Sequence, residues 1–269
     1  MKLTRPTIIG IVNVTEDSFS DGGSYLDADR ALEHALELRA DGADIIELGA
    51  ASSGPDAREV APEEEIRRLE PLVAKLNERG VSLCVDSFQP ATQRWCINHD
   101  VAMLNDVEGF AHPEMYADLA RATCWLIVMH SVQGRARPRR LFQEPDAVAA
   151  GMYRFFDTRL KAMEAAGMDR HRIILDPGMG YFLGSNPEPS IRALREIPKL
   201  KDRFELPVLV SVSRKSFLGA ITGRPVSERG SGTLAAEIFA AVQGVDFIRT
   251  HDVRALNDAL AVLLALIAR

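Results

Sequence analysis

The sequence predicts an α/β protein folded as a single (β/α)8 TIM barrel, with its ligand site at the C-terminal mouth of the strands. Three observations carry that expectation. Eight β-rich apolar segments alternate with amphipathic helical segments along the chain, the pattern of parallel strands covered by helices. No Pro-, Gly- or Ser-rich linker and no shift in composition interrupts the alternation, so residues 1–269 read as one domain of ordinary barrel length. All eight strand ends carry polar residues, which a barrel would gather at one mouth.

In chain order, 8–14 is β-rich and runs into the polar loop TEDSFSDGG, and 27–40 has the Ala and Leu spacing of a helix. A second strand at 43–48 leads through the loop GAASSGPDA to a helix over 62–78, whose Glu63, Glu64 and Glu65 suit the positive end of the helix dipole. Further strands are expected at 81–85, 102–104, 125–129, 173–175, 208–212 and 247–250. Helices are expected near 90–98, 113–121, 145–166, 188–204, 231–243 and 253–268. The seventh strand passes into SVSRKSFLG, which brings Lys215 to the mouth; Arg214, its neighbour, should project the other way.

The composition narrows the function. With 46% hydrophobic residues the chain can bury a large core, and a net charge of −6 argues against a general nucleic-acid surface. Cys84, Cys96 and Cys124 form no metal-type spacing and read as reduced core thiols. The N-terminus runs directly into a strand, and no apolar run is long enough to span a bilayer. A cytoplasmic protein is therefore expected.

The strand ends are Asn13, Ser52 with Ser53, Asp86, Asn105 with Asp106, His130, Asp176, Arg214 with Lys215, and Arg249 with His251. Asp86 and Asp176 end apolar strands, so each carboxylate needs donors on entering the mouth. An internal salt bridge to Lys215 or Arg249 would supply them, and so would a ligand with an amidine-like N–H edge. Arg249 and His251 lie two apart and share a strand face, where both can donate to phosphate oxygens. Asn13 and the loop SSGPD offer neutral donors or Mg2+ ligands to a diphosphate. The run QGRARPRR after strand five reads as a solvated loop, and His34, His99, His112 and His171 read as surface or capping residues. GxGxxG after the first strand, a Walker A lysine, HExxH and GxSxG are all missing, which removes the dinucleotide, NTP, zincin and hydrolase-elbow readings.

These motifs, taken in order as IVNVTEDSFSDGG, VDS, LNDV, VMH, LDPGMG, SVSRKSF and IRTHDV, make the chain resemble the dihydropteroate synthase family along its whole length. The resemblance implies a pterin-binding barrel. It would join 6-hydroxymethyl-7,8-dihydropterin diphosphate to p-aminobenzoate, giving 7,8-dihydropteroate and pyrophosphate. It also implies that Asp86, Asn105, Asp176 and Lys215 bind the pterin with Met129 packed near the ring. Asn13 would hold Mg2+ and the diphosphate, with Ser53, Arg249 and His251 completing that site. A homodimer built from barrel helices away from the mouth is implied too, and helix 253–268 is apolar enough to take part.

Departures from the family pattern sharpen the reading. GAASSGPDA stands where GGESTRPGA is usual, so Gly54 replaces an Arg and Ala51 a Glu; Glu16 stands where Pro is usual. After LDPG, Tyr181 holds the aromatic position while Phe182 and Leu183 replace a small residue and a Lys. This adds apolar bulk to the p-aminobenzoate slot beside Phe19, Pro55 and Ser216. Together with SFQPxTQR and SVSRKSFLGA, the pattern resembles the mobile, sulfonamide-resistant (Sul-type) branch, implying an enzyme that rejects sulfonamides by steric exclusion. A non-catalytic pterin-binding paralogue, motivated by Gly54 and Ala51, and a pterin-dependent methyltransferase domain are the alternatives.

Overall fold

The computed structural model describes residues 4–14, 24–52 and 55–267, with the side chains of 24–27 excepted. Its strands are β1 (Thr7–Asn13), β2 (Ile45–Gly49), β3 (Leu83–Asp86), β4 (Met103–Asp106), β5 (Trp125–Met129), β6 (Ile173–Asp176), β7 (Leu209–Val210) and β8 (Phe247–Thr250). The intervening helices are α1 (Ser24–Ala40), α2 (Pro62–Asn77), α3 (Pro90–Ile97), α4 (Tyr116–Arg121), α5 (Pro145–Ala165), α6 (Glu188–Phe204), α7 (Ser216–Thr222), α8 (Gly230–Val242) and α9 (Val253–Ile267). All pairings are parallel, in the order β6-β5-β4-β3-β2-β1-β8-β7. A bridge between Leu175 and Val208 joins the two edges, giving the expected (β/α)8 barrel.

Side chains alternate across each strand, so every second residue points inward. Ile9, Cys84, Met103, Ile127, Ile174 and Leu209 fill the barrel interior, with Ile45 and Phe247 packed against them. The residues between them, such as Ile8, Ile46, Val85, Leu126, Leu175 and Ile248, face the helices. There they meet Leu69, Leu72 and Leu76 of α2 and Leu194, Ile197 and Leu200 of α6. Each such fully buried side chain is worth about 1.5–3 kcal/mol.

Three local differences from the sequence reading have physical causes. β7 pairs over two residues only, because the chain turns out of the sheet at Val212, whose carbonyl accepts the Lys215 N–H at 3.2 Å. α7 forms directly after that turn, within a stretch whose seven residues are too few to carry a helical period. α4 is preceded by a 3-10 turn at Pro113–Met115, where Pro113 sits at its start.

At the N-terminal end of the barrel, carboxylates tie strands together. Asp44, just before β2, accepts the Ile8 N–H at 2.8 Å, and Asp246, just before β8, accepts the Val208 N–H at 2.8 Å. Asp246 also holds Lys201 at 2.7 Å. Asp246→Ala leaves the Val208 donor unpaired beside the barrel's seam, and should lower unfolding stability in urea by about 1–3 kcal/mol without changing the m-value.

Candidate active site

The inward register that fills the barrel with apolar side chains places the next inward positions at the mouth. There the interior changes character. Gly49 pairs with Asp86 and Asp86 with Asn105 across three adjacent strands, and Met129 pairs with Asp176 on the next pair. Glu47 of β2 and Arg249 of β8 point into the same space.

Arg249, only 5% exposed, is the hub. Its Nη1 donates to Glu47 Oε2 at 2.8 Å and its Nη2 to Asp176 Oδ2 at 3.3 Å. Asp176 Oδ1 accepts the Gly178 N–H at 2.8 Å, and the Cys84 thiol leans on Glu47 Oε2 at 3.5 Å. Of the two partnerships open to the Asp176 carboxylate, the structure contains the internal salt bridge to Arg249. Arg249 therefore sits inside the barrel with two of its nitrogens committed, below the position expected for a free phosphate donor. Glu47 is a site residue that sequence reasoning missed. It lies two residues before the end of β2, a lone acid in an apolar strand at inward register, and that register was its only signal.

Asp86 has no arginine of its own. Burial, then the charge of Glu47, pushes its carboxyl up to about 7, against the pull of Arg249. Its Oδ1 accepts from Asn105 Nδ2 at 2.8 Å, which leaves Asn105 Oδ1 buried without a partner. A carboxylate and an amide oxygen thus stand side by side, both short of donors. Lys215 faces them from the turn after β7. Burial and the nearby Arg249 lower its ammonium pKa, while Asp176, Asp86 and Glu47 oppose the shift. Its Nζ lies 5.5 Å over the centre of the Phe182 ring, within cation–π range. Arg214 is exposed, as expected of the opposite face.

His251 closes the far side. Its backbone N–H donates to Ser213 Oγ at 3.3 Å, so the Ser213 hydroxyl proton turns to His251 Nδ1 at 2.9 Å. Burial, then Arg214, Lys215 and Arg249, lowers His251 to about 4. The ring is neutral at pH 7, and Nε2–H is its donor. Ser213 was not foreseen, because a serine at a strand end reads as a turn former. Asn13 is exposed at the end of β1, and Ser216 begins α7.

Phe182 and Met129 pack with Val107, Ala136 and Phe88 into an apolar cluster beside this polar floor. Phe182 is 5% exposed, so its bulk lines the inner wall of the mouth rather than the outer one expected. Tyr181 and Pro55 are half-buried. The basic run after β5 is solvated at Gly134, Arg135, Arg139 and Arg140, as expected, but it is also tied down. Arg140 makes a two-pronged ion pair with Asp56 (3.2 Å for one prong) and stacks over the Tyr181 ring at 5.4 Å, while Arg137 donates to the Arg58 carbonyl at 3.2 Å. His130 is buried, donates from Nδ1 to the Pro177 carbonyl at 3.2 Å and serves the framework. The expected site residues Phe19 and Ser53, with Gly54, lie outside the described residues.

A family model described as pterin binding enzyme matches residues 9–251. Dihydropteroate synthase type-3 of Escherichia coli is 53% identical over 96% of this chain and 98% of its own. The chain belongs to the dihydropteroate synthase family. Type-2 of Escherichia coli is 51% identical over 96% of this chain and 95% of its own. The solved structure of the Xanthomonas albilineans dihydropteroate synthase with 4-aminobenzoic acid matches with a TM-score of 0.90 at 36% identity, covering 100% of this chain and 96% of that one. In this chain Glu47 and Asp176 cluster around one buried guanidinium, that of Arg249.

The raised Asp86 value makes a stability prediction. In the folded state this carboxyl binds its proton up to about 7, against 3.8 for the free group. Its favourable contribution is complete below the lower value and is lost as pH rises through that window. Asp86→Asn should therefore be more stable than the parent at pH 7 by about 1–4 kcal/mol, with no gain at pH 4. Urea unfolding at the two pH values checks this.

Proposed function

We propose that the chain, acting as one pterin-binding domain, joins 6-hydroxymethyl-7,8-dihydropterin diphosphate to p-aminobenzoate and releases pyrophosphate and 7,8-dihydropteroate. The observation that carries this reading is the pair of under-satisfied acceptors, Asp86 and Asn105 Oδ1, side by side on the barrel floor. The 2-amino and adjacent ring N–H groups of a pterin supply the donors those acceptors lack. Their arrival favours ionised Asp86 and removes the cost of its burial. Asp176 and Lys215 frame the remaining ring edge, and Met129 gives it an apolar wall.

With the ring fixed, the diphosphate lies toward His251 and Asn13. The neutral His251 ring donates through Nε2–H, and Arg249 adds positive charge from below. The bond from the pterin methylene carbon to the diphosphate oxygen breaks, and its electron pair leaves with pyrophosphate. The arylamine nitrogen then attacks that carbon and loses a proton. Catalysis rests on holding the two reactants and stabilising the leaving charge. Among the described residues no group of three or more His, Cys, Asp or Glu is placed to hold a metal ion. A neutral amide oxygen such as that of Asn13 fits Mg2+, which takes most of its oxygen shell from phosphate and water. Bound Mg2+ would neutralise charge on the departing diphosphate.

The arylamine slot then falls between Lys215, Phe182, Tyr181, Pro55 and Ser216. Phe182 narrows it from the inner wall, which supports rejection of sulfonamides, molecules that mimic p-aminobenzoate but extend past its carboxylate. The described helices include none long and apolar enough to cross a membrane, consistent with a cytoplasmic enzyme. Val262 and Leu266 of α9, 60% and 78% exposed beside Leu234 and Ile238 of α8, offer a surface for a homodimer.

Pyrophosphate release with both substrates and Mg2+ tests the reading. Turnover is expected, and pterin binding without release would favour a non-catalytic paralogue. In the same assay Phe182→Gly should lower the sulfonamide inhibition constant at least about tenfold while changing the KM for p-aminobenzoate only a few-fold. Lys215→Ala should reduce kcat/KM about 100-fold or more. Arg214→Gly, which relieves a left-handed backbone while Thr233 and Arg229 still grip its N–H and carbonyl, should leave turnover within a few-fold and thermal stability unchanged or raised.

A further inference from the structure

Lys215 stands at the mouth because of an unusual turn. Arg214 just before it has φ +58°, in the left-handed region that side chains other than glycine avoid. Such a conformation persists only where its surroundings over-determine it. Two partners on the segment entering α8 do so. Thr233 Oγ1 accepts the Arg214 N–H at 3.0 Å, and Arg229 Nη1 donates to the Arg214 carbonyl at 2.9 Å and to the Lys215 carbonyl at 3.4 Å. Both ends of the strained residue are thus gripped by groups distant in sequence.

Arg229 reaches those carbonyls across Gly219 of α7. A Cβ at Gly219 would lie 2.2 Å from Arg229 Nη2 and 2.6 Å from its Cζ, so any side chain there would displace the guanidinium. The other end of the guanidinium is fixed as well, since Nε donates to the Arg224 carbonyl at 3.1 Å. Gly219 sits inside a helix with an ordinary backbone, where glycine is otherwise a cost. Its use here is to leave room for Arg229.

We propose that Arg229 is a positioning residue for Lys215, holding the left-handed turn at Arg214 through a slot that Gly219 keeps open. The device rests on the reading of Lys215 as a pterin and arylamine contact. It acts through backbone carbonyls, so it needs a guanidinium rather than a positive charge alone. Misplacing an ammonium by one ångström in such a site is enough to cost a large factor in rate.

The test compares Arg229→Ala, Arg229→Lys and Gly219→Ala with Arg224→Ala. Arg224 is an exposed control whose side chain pairs with Glu228 at 3.0 Å and does not touch the turn. The first readout is the pH profile of Lys215 acetylation by pulse labelling with acetic anhydride, followed by mass spectrometry. The second is kcat/KM for the pterin diphosphate, and thermal melting controls for folding. Arg229→Ala and Gly219→Ala should each move the Lys215 labelling midpoint up by about half a pH unit or more, toward an ordinary lysine. Each should also lower kcat/KM at least about tenfold, with Arg229→Lys in between and Arg224→Ala unchanged. A folded Gly219→Ala or Arg229→Lys with the parent labelling profile would overturn the proposal, even if Arg229→Ala failed to fold. A parent enzyme with no turnover would overturn the activity reading alone, since the labelling comparison still decides the role of Arg229.

Discussion

One buried guanidinium sets the electrostatics of the whole mouth. Glu47, Asp86 and Asp176 all point into a low-dielectric barrel, and ionised carboxylates there repel one another unless a cation sits among them. Arg249 is that cation, pairing with Glu47 at 2.8 Å and Asp176 at 3.3 Å. Two of the three carboxylates are thereby settled. Asp86 is left without a guanidinium partner; burial, then the charge of Glu47, raises its carboxyl to about 7, and an amide oxygen beside it goes unpartnered. Beside Asp86 the unpaired Asn105 Oδ1 marks where a ligand with paired N–H donors would complete the mouth.

The same arithmetic explains the two halves of the barrel. Carboxylates occur at both ends, but those at the N-terminal end, Asp44 and Asp246, are spent on strand N–H groups and on Arg5 and Lys201. They are fully used in holding the barrel. At the C-terminal end the acids are concentrated, and Asp86 is left with a single protein donor, Asn105. Placement, rather than residue type, separates a structural aspartate from a binding one.

Much of this was legible in the sequence because a barrel obeys simple rules. Alternating strands and helices gave the fold, and the strand-end residues Asp86, Asn105, Asp176, Lys215 and His251 do converge on one mouth. Depth was harder to read. Glu47 lies one inward position below the strand end, so a survey of strand ends passes over it, although Arg249 depends on it. Arg249 and Phe182 were placed in the right neighbourhood but at the wrong level, since periodicity gives a side chain's face and not how far down the barrel it reaches. The ties between the basic run after β5 and the loop after β2 join residues more than seventy positions apart. Nothing local in either loop encodes the pairing.

The loop after β7 shows how such a site can be held without relaxing it. A left-handed non-glycine residue costs about 1–2 kcal/mol, and a glycine at position 214 would remove that cost. Yet a glycine would also widen the backbone choices open to the residue before Lys215. Arg214 restricts them, its side chain is exposed, and its charge helps keep His251 neutral. Thr233 and Arg229 then select the one conformation that carries Lys215 over Phe182. The strain is local, while the restraint comes from α8, so the stability of that helix and the aim of the lysine are linked through a few hydrogen bonds.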